Sequence, residues 1–561
     1  MIRLSTFPIK TLKSRPKISD NISTSILLQA GFIRQTMAWV YNYTTLWLKV
    51  LRKIENVVRE EMDDYWATEI LMSSLSPREL WDKTGRWDSI DVFFHLPTWT
   101  EWKEYWLNCT HEEIVTPLIW EFINSYKDSW VCAYQFQTKF RNEKRAKSWL
   151  LRGREFIMKD AYSFHISNEE FEEYYEWMKK VYMRIFDRLW LLKDTYIAIA
   201  DGWCFTDKFS HEFQVVLPIW EDYIYIDDEL LITYNQEVTP AIVWISNVSD
   251  NELFEKKDIK HDENIIWVDA LEKFLNVPII KTTKTMFFTT DDNRFVVASL
   301  RGDYDVNTLK LRKIVWCKSL ELASEEKVKE IIWTKIWFAW IINLPTGIEL
   351  YLDDSIKWLT NFETWTNKDF HHSINVNFGR DLELPERFYD FKDAKLGDKN
   401  PTSWNVYRVE KWSEVWNIFP LETKYTKPFW IKMLDENNHE QDVLMWCYGI
   451  WISRLMWVIA EYNMTENWIA WPENLAPADC YIIVIWEENL EKANEMAKKL
   501  EEKWKTVILD DRMGKKIWFW QKAGDCELFW IPTRIVISPK TVEQWGFEVT
   551  LRWEESQLVK F

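Results

Sequence analysis

KFRNEKRAKSWLLRGREF, residues 139–156, decides how this chain is read. Apolar residues flank a charged loop (KRAKS), so residues 140–143 and 150–158 are expected to form two strands around it. Arg141 falls on the first strand, and Arg152 and Arg154 fall on the second. Arg454 lies in YGIWISRL, again beside an apolar run. A guanidinium is a planar fork that grips phosphate oxygens in pairs. Arginines on rigid strands can therefore hold a triphosphate without a glycine-rich cradle. The chain has no GxxxxGK[ST], no GxGxxG and no HExxH. Taken singly, each arginine is better read as the partner of a structural carboxylate. The arrangement is more specific than its members.

Outward from this stretch, residues 48–62 and 169–189 have helical apolar spacing, and residues 223–234 alternate like a strand. From about residue 238 to 400 the texture changes. Short strands (285–289, 294–300) alternate with helices (324–333), which reads as a separate α/β module. Residues 406–462 return to the first style. Pro472 opens a last segment of βαβαβ pattern, with strands at 481–485, 506–509 and 534–538 and helices at 490–503 and 519–527. The expected domains are 1–237, 238–400, 401–470 and 471–561, the first and third being parts of one unit.

The 561 residues exceed one hydrophobic core. Hydrophobic residues at 47% and charged ones at 28% mark a globular chain. No apolar run is long enough to span a bilayer, so no membrane partner is expected. Seven scattered cysteines without a CxxC pair argue against a disulfide scaffold or a zinc ribbon, and point to reducing cytoplasm. No protein-bound metal site is expected. The net charge of −18 disfavours nonspecific nucleic-acid binding. Residues 496–524 nevertheless hold eight basic and four acidic side chains. On charge alone this patch reads as a solvated helix face and loop.

One count is abnormal. There are 39 tryptophans and 12 glycines, where glycine at about 7% would give roughly 40 in this length. The two residue types look exchanged.

The Phe140-Arg141-Asn142-Glu143, loop, Arg152 to Phe156 pattern resembles the second motif of class II aminoacyl-tRNA synthetases. MWCYGIWISRL (445–455) resembles their third motif if two tryptophans are read as glycine. GFIRQTMA (31–38), CTHEE (109–113), REFIMKDAYSFH (154–165), SHEFQV (210–215) and NIFPLETKY (417–425) narrow the resemblance to bacterial-type prolyl-tRNA synthetases, over essentially the whole chain. The middle module resembles their editing insertion through KTTKTMFF (281–288), LRGDYDVN (300–307) and NVNFGRD (375–381). The last segment resembles the class IIa anticodon-binding domain through ILDDR (508–512) and CELFWIPTRIVI (526–537).

The resemblance implies an α/β multidomain fold. An antiparallel-sheet catalytic domain carries an inserted α/β editing domain and a C-terminal βαβαβ anticodon-binding domain. It implies ligation of L-proline to tRNA(Pro) through prolyl-adenylate, with hydrolysis of mischarged alanyl-tRNA(Pro). Arg141 would bridge the α-phosphate and the substrate carboxylate. Glu143 would accept from the adenine amino group, and Phe156 would stack on the base. Arg152 and Arg454 would hold the outer phosphates with Mg²⁺, and Gln214 joins the ATP set. Thr110 and Glu112 would take the proline nitrogen, with His211 and Cys447 lining the pocket. THEE also reads as a threonine cap before an acidic first turn. Lys284 and His372 match the editing site. Asp510, Asp511, Arg512, Lys516 and Phe519 would face the anticodon, inside the basic patch. A homodimer is implied through residues 48–77. The alternatives are another class IIa synthetase and a catalytically inactive tRNA-binding relative.

The family has glycine at Trp39, Trp47, Trp66, Trp149, Trp446, Trp451, Trp486 and Trp530, but tryptophan at Trp81, Trp87 and Trp471. UGA codons read as glycine by the source would explain the exchange. An indole at 446 or 451 would then fill space meant for ligand, and Trp337 and Trp340 would crowd the editing module.

Overall fold

The computed structural model describes the chain apart from residues 8–9, 17–20, 39, 91, 97–103, 124, 129–130, 144–150, 204, 207, 218–221, 244–252, 262–264, 266, 334–340, 342–343, 346, 515–516, 553 and 561. The KRAKS loop, Trp39, Trp149, Trp337, Trp340 and Lys516 lie outside the described residues. The chain divides into two compact units. Residues 1–197, 202–219 and 413–561 form one, and residues 198–201 and 220–412 form the other.

In the first unit, strands Val131–Phe140 and Glu155–His165 pair antiparallel over their full length, from Val131 opposite Phe164 to Phe140 opposite Glu155. Of the two strands expected at 140–143 and 150–158, only Phe140 and residues 155–158 lie in this hairpin; residues 141–143 and 151–154 are outside the strands. The body of the hairpin lies in residues whose polar members are buried (Gln135, Lys139, Lys159, Asp160) and so break the alternation. Strand Leu444–Ile450 pairs antiparallel with Glu155–His165, and residues 413–422 pair with Leu444–Ile450 and with strand Phe209–Val216.

Helix Asn168–Arg188 covers one face of this sheet. Ser167 caps it by accepting from the Glu170 N–H at 3.1 Å. Glu169 and Glu170 meet the positive end of its dipole. Phe171, Tyr174, Tyr175, Met178, Tyr182 and Phe186 recur at helical spacing and are buried. Trp416 on the sheet stacks on Phe186, with ring centroids 3.8 Å apart. Helix Thr45–Asp63 packs on this helix and on helix Ile452–Tyr462.

The C-terminal part of the first unit is a six-stranded sheet. Four strands are parallel: Ile2–Arg3, Val507–Asp510, Cys480–Val484 and Thr533–Ile537. The N-terminal strand is an addition that two residues of sequence do not announce. Phe32, Trp47, Trp471 and Phe529 join this part to the helices of the larger sheet.

The second unit contains a four-stranded sheet, ordered Leu320–Leu322, Thr283–Thr290, Phe295–Arg301, Glu349–Leu352. A three-stranded one is ordered Asp258–His261, His371–Val376, Phe362–Trp365. The single strand expected over residues 223–234 is two, Asp222–Asp227 and Ile232–Asn235, because Asp227 accepts from the N–H groups of Glu229 and Leu230 and turns the chain. Among the described residues no helix is long and apolar enough to cross a membrane.

Candidate active site

A cleft opens on the first unit, lined by Arg141, Glu143, Arg152, Phe156, Trp451 and Arg454, with Tyr41, Tyr43 and Ser453. The hairpin supplies Arg141 from just beyond one strand and Phe156 from the other. Arg454 enters from the first turn of helix Ile452–Tyr462. Three arginines distant in sequence therefore share one cavity. Arg141 donates to the Cys109 carbonyl at 3.4 Å, while its Nε is buried without a hydrogen-bond partner. Arg152 pairs with Glu143 at 3.0 Å. Arg454 is buried, bonded to the Leu151 and Glu414 carbonyls and to the Glu414 carboxylate.

The 109–113 loop continues the site from the Arg141 contact. His111, rather than Thr110, is the N-cap of helix Glu112–Trp120. The threonine is free for another task, and donates to Glu112 Oε2 at 2.6 Å. Glu112 also faces Arg86 Nη1 at 3.4 Å and the Cys447 thiol at 3.4 Å. Arg86 pairs more closely with Glu113, at 2.9 Å. One cation thus stands against two buried carboxylates, leaving a formal charge of −1 that a cationic ligand would balance. Burial, and then the Glu112 charge, push the Cys447 thiol well above its ordinary range, so it stays a neutral donor. Beneath the loop, His111 Nε2 donates to the Ser73 carbonyl, and Nδ1 accepts from Lys139. Lys139 in turn holds Asp160 at 2.9 Å. Burial and the Lys139 charge keep His111 neutral, with its pKa lowered to about 3.

Strand alternation sorts the remaining expected residues onto two faces. Trp446 stacks on Phe171 and Tyr175 of helix Asn168–Arg188, at 4.3 and 4.6 Å, whereas Cys447 points to Glu112 on the opposite face. The indole at 446 therefore enters the helix interface and not the ligand space. His211 corrects in the same way. Its ring lies 5.2 Å from Tyr175, on the helix side with Phe213, and so is not beside Cys447. Burial lowers its pKa to about 4. Glu212, its neighbour, occupies the other face and accepts from Gln214 at 2.6 Å and Asn417 at 3.4 Å. Gln214 is not among the lining residues of the cleft and reaches the site through Glu212. Glu212, Glu414, Asn417 and Arg86 are site residues that motif reading missed. The chain-order signal for Glu212 was its even offset from Gln214.

In the second unit, His372 is buried with Nδ1 2.8 Å from Glu363, and Trp365 covers its ring at 3.8 Å. Lys284 pairs with Asp305 at 2.6 Å. The two residues sit on strands of different sheets, Thr283–Thr290 and His371–Val376, and the Thr283 hydroxyl donates to the Glu363 carbonyl on strand Phe362–Trp365, which pairs with the latter. In the C-terminal part, Asp510 is fully buried against Arg512, Tyr481 and Lys522, and Asp511 holds Arg3 and Ser5. Arg512 is shared by Asp510 and Asp525. Asp510 and Asp511 are thus turned inward onto cations of the same unit, and the partly exposed Arg512 is held between two carboxylates. Phe519 opens helix Phe519–Phe529 beside Trp520.

An antiparallel sheet presenting three arginines and an aromatic ring to one cleft defines a class II synthetase core, and residues 98–463 match the tRNA synthetase class II core domain (G, H, P, S and T). The chain is 36% identical over 555 residues to the proline–tRNA ligase of Bacillus subtilis, covering 98% of this chain and 96% of that one. It is 35% identical to that of a Listeria monocytogenes strain, covering 95% and 93%. The chain belongs to the proline–tRNA ligase family. In fold it is similar to a prolyl-tRNA synthetase from Cryptosporidium parvum complexed with L-proline and AMP, with a TM-score of 0.55, 11% identity, and coverage of 98% of this chain and 74% of that one.

Proposed function

We propose that this chain activates L-proline with ATP and transfers it to tRNA(Pro). The observation that carries the reading is the continuity of two sites through Arg141. On one side lies the Arg141–Arg152–Arg454 cleft, and on the other the Thr110–Glu112 pair with its surplus negative charge. The proline ring nitrogen, a cation, would sit against Glu112 and Thr110. Its carboxylate would be held by Arg141. A carboxylate oxygen attacks the α-phosphorus, the bond from that phosphorus to the bridging oxygen breaks, and pyrophosphate leaves. Such a step needs in-line positioning and charge neutralisation more than covalent help. Arg152 and Arg454 supply charge at the leaving group, and Glu143 and Phe156 seat the base. The terminal ribose hydroxyl of the tRNA then attacks the prolyl carbonyl and releases AMP.

Magnesium fits the oxygen donors near Arg454. Asn417 Oδ1 is buried without a hydrogen-bond partner, and the Glu414 and Glu212 carboxylates flank its amide. Mg²⁺ there would offset phosphate charge.

A pocket sized for proline discriminates weakly against smaller alanine. The second unit would then hydrolyse alanyl-tRNA(Pro), with His372 oriented by Glu363 and Lys284 as the second residue of the site. The subunits would pair through residues 48–77.

Proline-dependent exchange of pyrophosphate into ATP tests the main reading. Exchange that proline stimulates and alanine stimulates less supports it. Exchange with threonine but not proline, or none with any amino acid, overturns it.

A further inference from the structure

Twenty non-glycine residues among those described adopt positive φ, and eleven of them are tryptophan. Among the described residues, phenylalanine and tyrosine together contribute only Phe370. The bias thus belongs to tryptophan and not to aromatic rings. A left-handed backbone brings Cβ against the carbonyl oxygen, which is why glycine, and to a lesser degree asparagine, takes such positions. Asparagine supplies six of the remaining nine.

The eleven sit where glycine ordinarily sits. Trp316, Trp333, Trp430 and Trp530 are left-handed C-caps of helices. Trp66, Trp190 and Trp504 follow helices that close with a paired bond, as when Leu191 N–H reaches the Phe186 carbonyl and Lys505 N–H reaches that of Leu500. Helices Ile22–Ala30 and Arg78–Thr84 end in the same way, with Gly31 at φ 76° and Gly85 at φ 69°. Trp486, at φ 68° and ψ 143°, occupies a region that is nearly glycine's alone. Ten of the eleven indoles are exposed, Trp504 at 95% and Trp430 at 90%, so burial does not repay the strain. Trp81, Trp87 and Trp471 are buried and none has positive φ.

We infer that the gene encodes these eleven residues by UGA codons that its own cells read as glycine, so that the working polypeptide carries glycine wherever tryptophan stands in a left-handed backbone. The same decoding at residue 451 bears on activity, and that extension rests on the proposed nucleotide site. The Trp451 ring lies 3.3 Å from the Arg454 guanidinium, 5.6 Å from that of Arg141 and 6.2 Å from Phe156. It fills the space between three groups meant for one ligand.

Peptide mass spectrometry of the protein from its source cells decides the decoding independently of any activity. Glycine at residues 316, 333, 430 and 504, with tryptophan at 81, 87 and 471, is the expected result. Tryptophan at the first four overturns the inference. Two recombinant chains test its physical basis: the sequence as it stands, and one with glycine at the eleven positions. The glycine chain should melt at a higher temperature, and a lower one refutes the geometric argument. Adding Trp451→Gly to that chain should raise proline-dependent exchange at least tenfold. If the masses show glycine but exchange stays absent, the decoding holds and the proposed function fails.

Discussion

At the scale of single residues, Arg86 determines how much negative charge the 109–113 loop presents. It is 3% exposed and stands against both Glu112 and Glu113. Burial raises the Glu113 carboxyl and the Arg86 charge opposes that rise. Removing the cation strands two carboxylates without solvent. Arg86→Met should therefore cost about 3–5 kcal/mol of stability, read as a lower urea midpoint. Glu112→Gln keeps the shape and removes the charge. It should raise the KM for proline by about 100-fold, the order of a lost charged hydrogen bond, while the KM for ATP stays near its original value. Arg141→Lys retains a cation but loses the fork. A fall of about 100-fold in kcat for exchange is expected.

At the scale of elements, the hairpin and the capped helix behind it form the frame. Ser167→Ala should cost about 1 kcal/mol, measured as a shift in chemical denaturation, since one N-terminal N–H of helix Asn168–Arg188 loses its acceptor. Much of this frame was legible. Helix 169–189 follows from its apolar stripe, whereas the convergence of Arg141, Arg152 and Arg454 follows only from the resemblance of 140–156 and 445–455 to two class II synthetase motifs. The faces of strand Phe209–Val216 were not. Alternation places His211 and Glu212 on opposite sides, but both sides are buried, so hydrophobicity does not say which one meets the ligand. Arg86 and Glu414 were invisible for another reason. Each is an ordinary charged residue in a short polar context, made functional only by a partner far along the chain. Asp510 is hidden because a DDR triplet looks solvent-facing until its own Arg512 and the buried Lys522 are placed beside the carboxylate.

At the scale of the whole molecule, buried imidazoles link stability to acidity. The pKa of His111 and of His165 is lowered to about 3, and that of His211 to about 4, in each case chiefly by burial. The unfolded chain, with ordinary histidines, binds more protons between about pH 6.5 and pH 4. Stability is therefore held above that window and lost as pH falls through it, by about 1.4 kcal/mol per pH unit for each histidine. Urea midpoints at pH 7, 6 and 5 should fall, and His165→Phe should flatten the slope.

The strand Ile2–Arg3 completes a sheet whose other members begin at Cys480, and Arg3 and Ser5 are held by Asp511. A ribosome releases residues in order. Residues 2–5 therefore emerge long before their partners and stay unpaired until residues 507–511 have been translated.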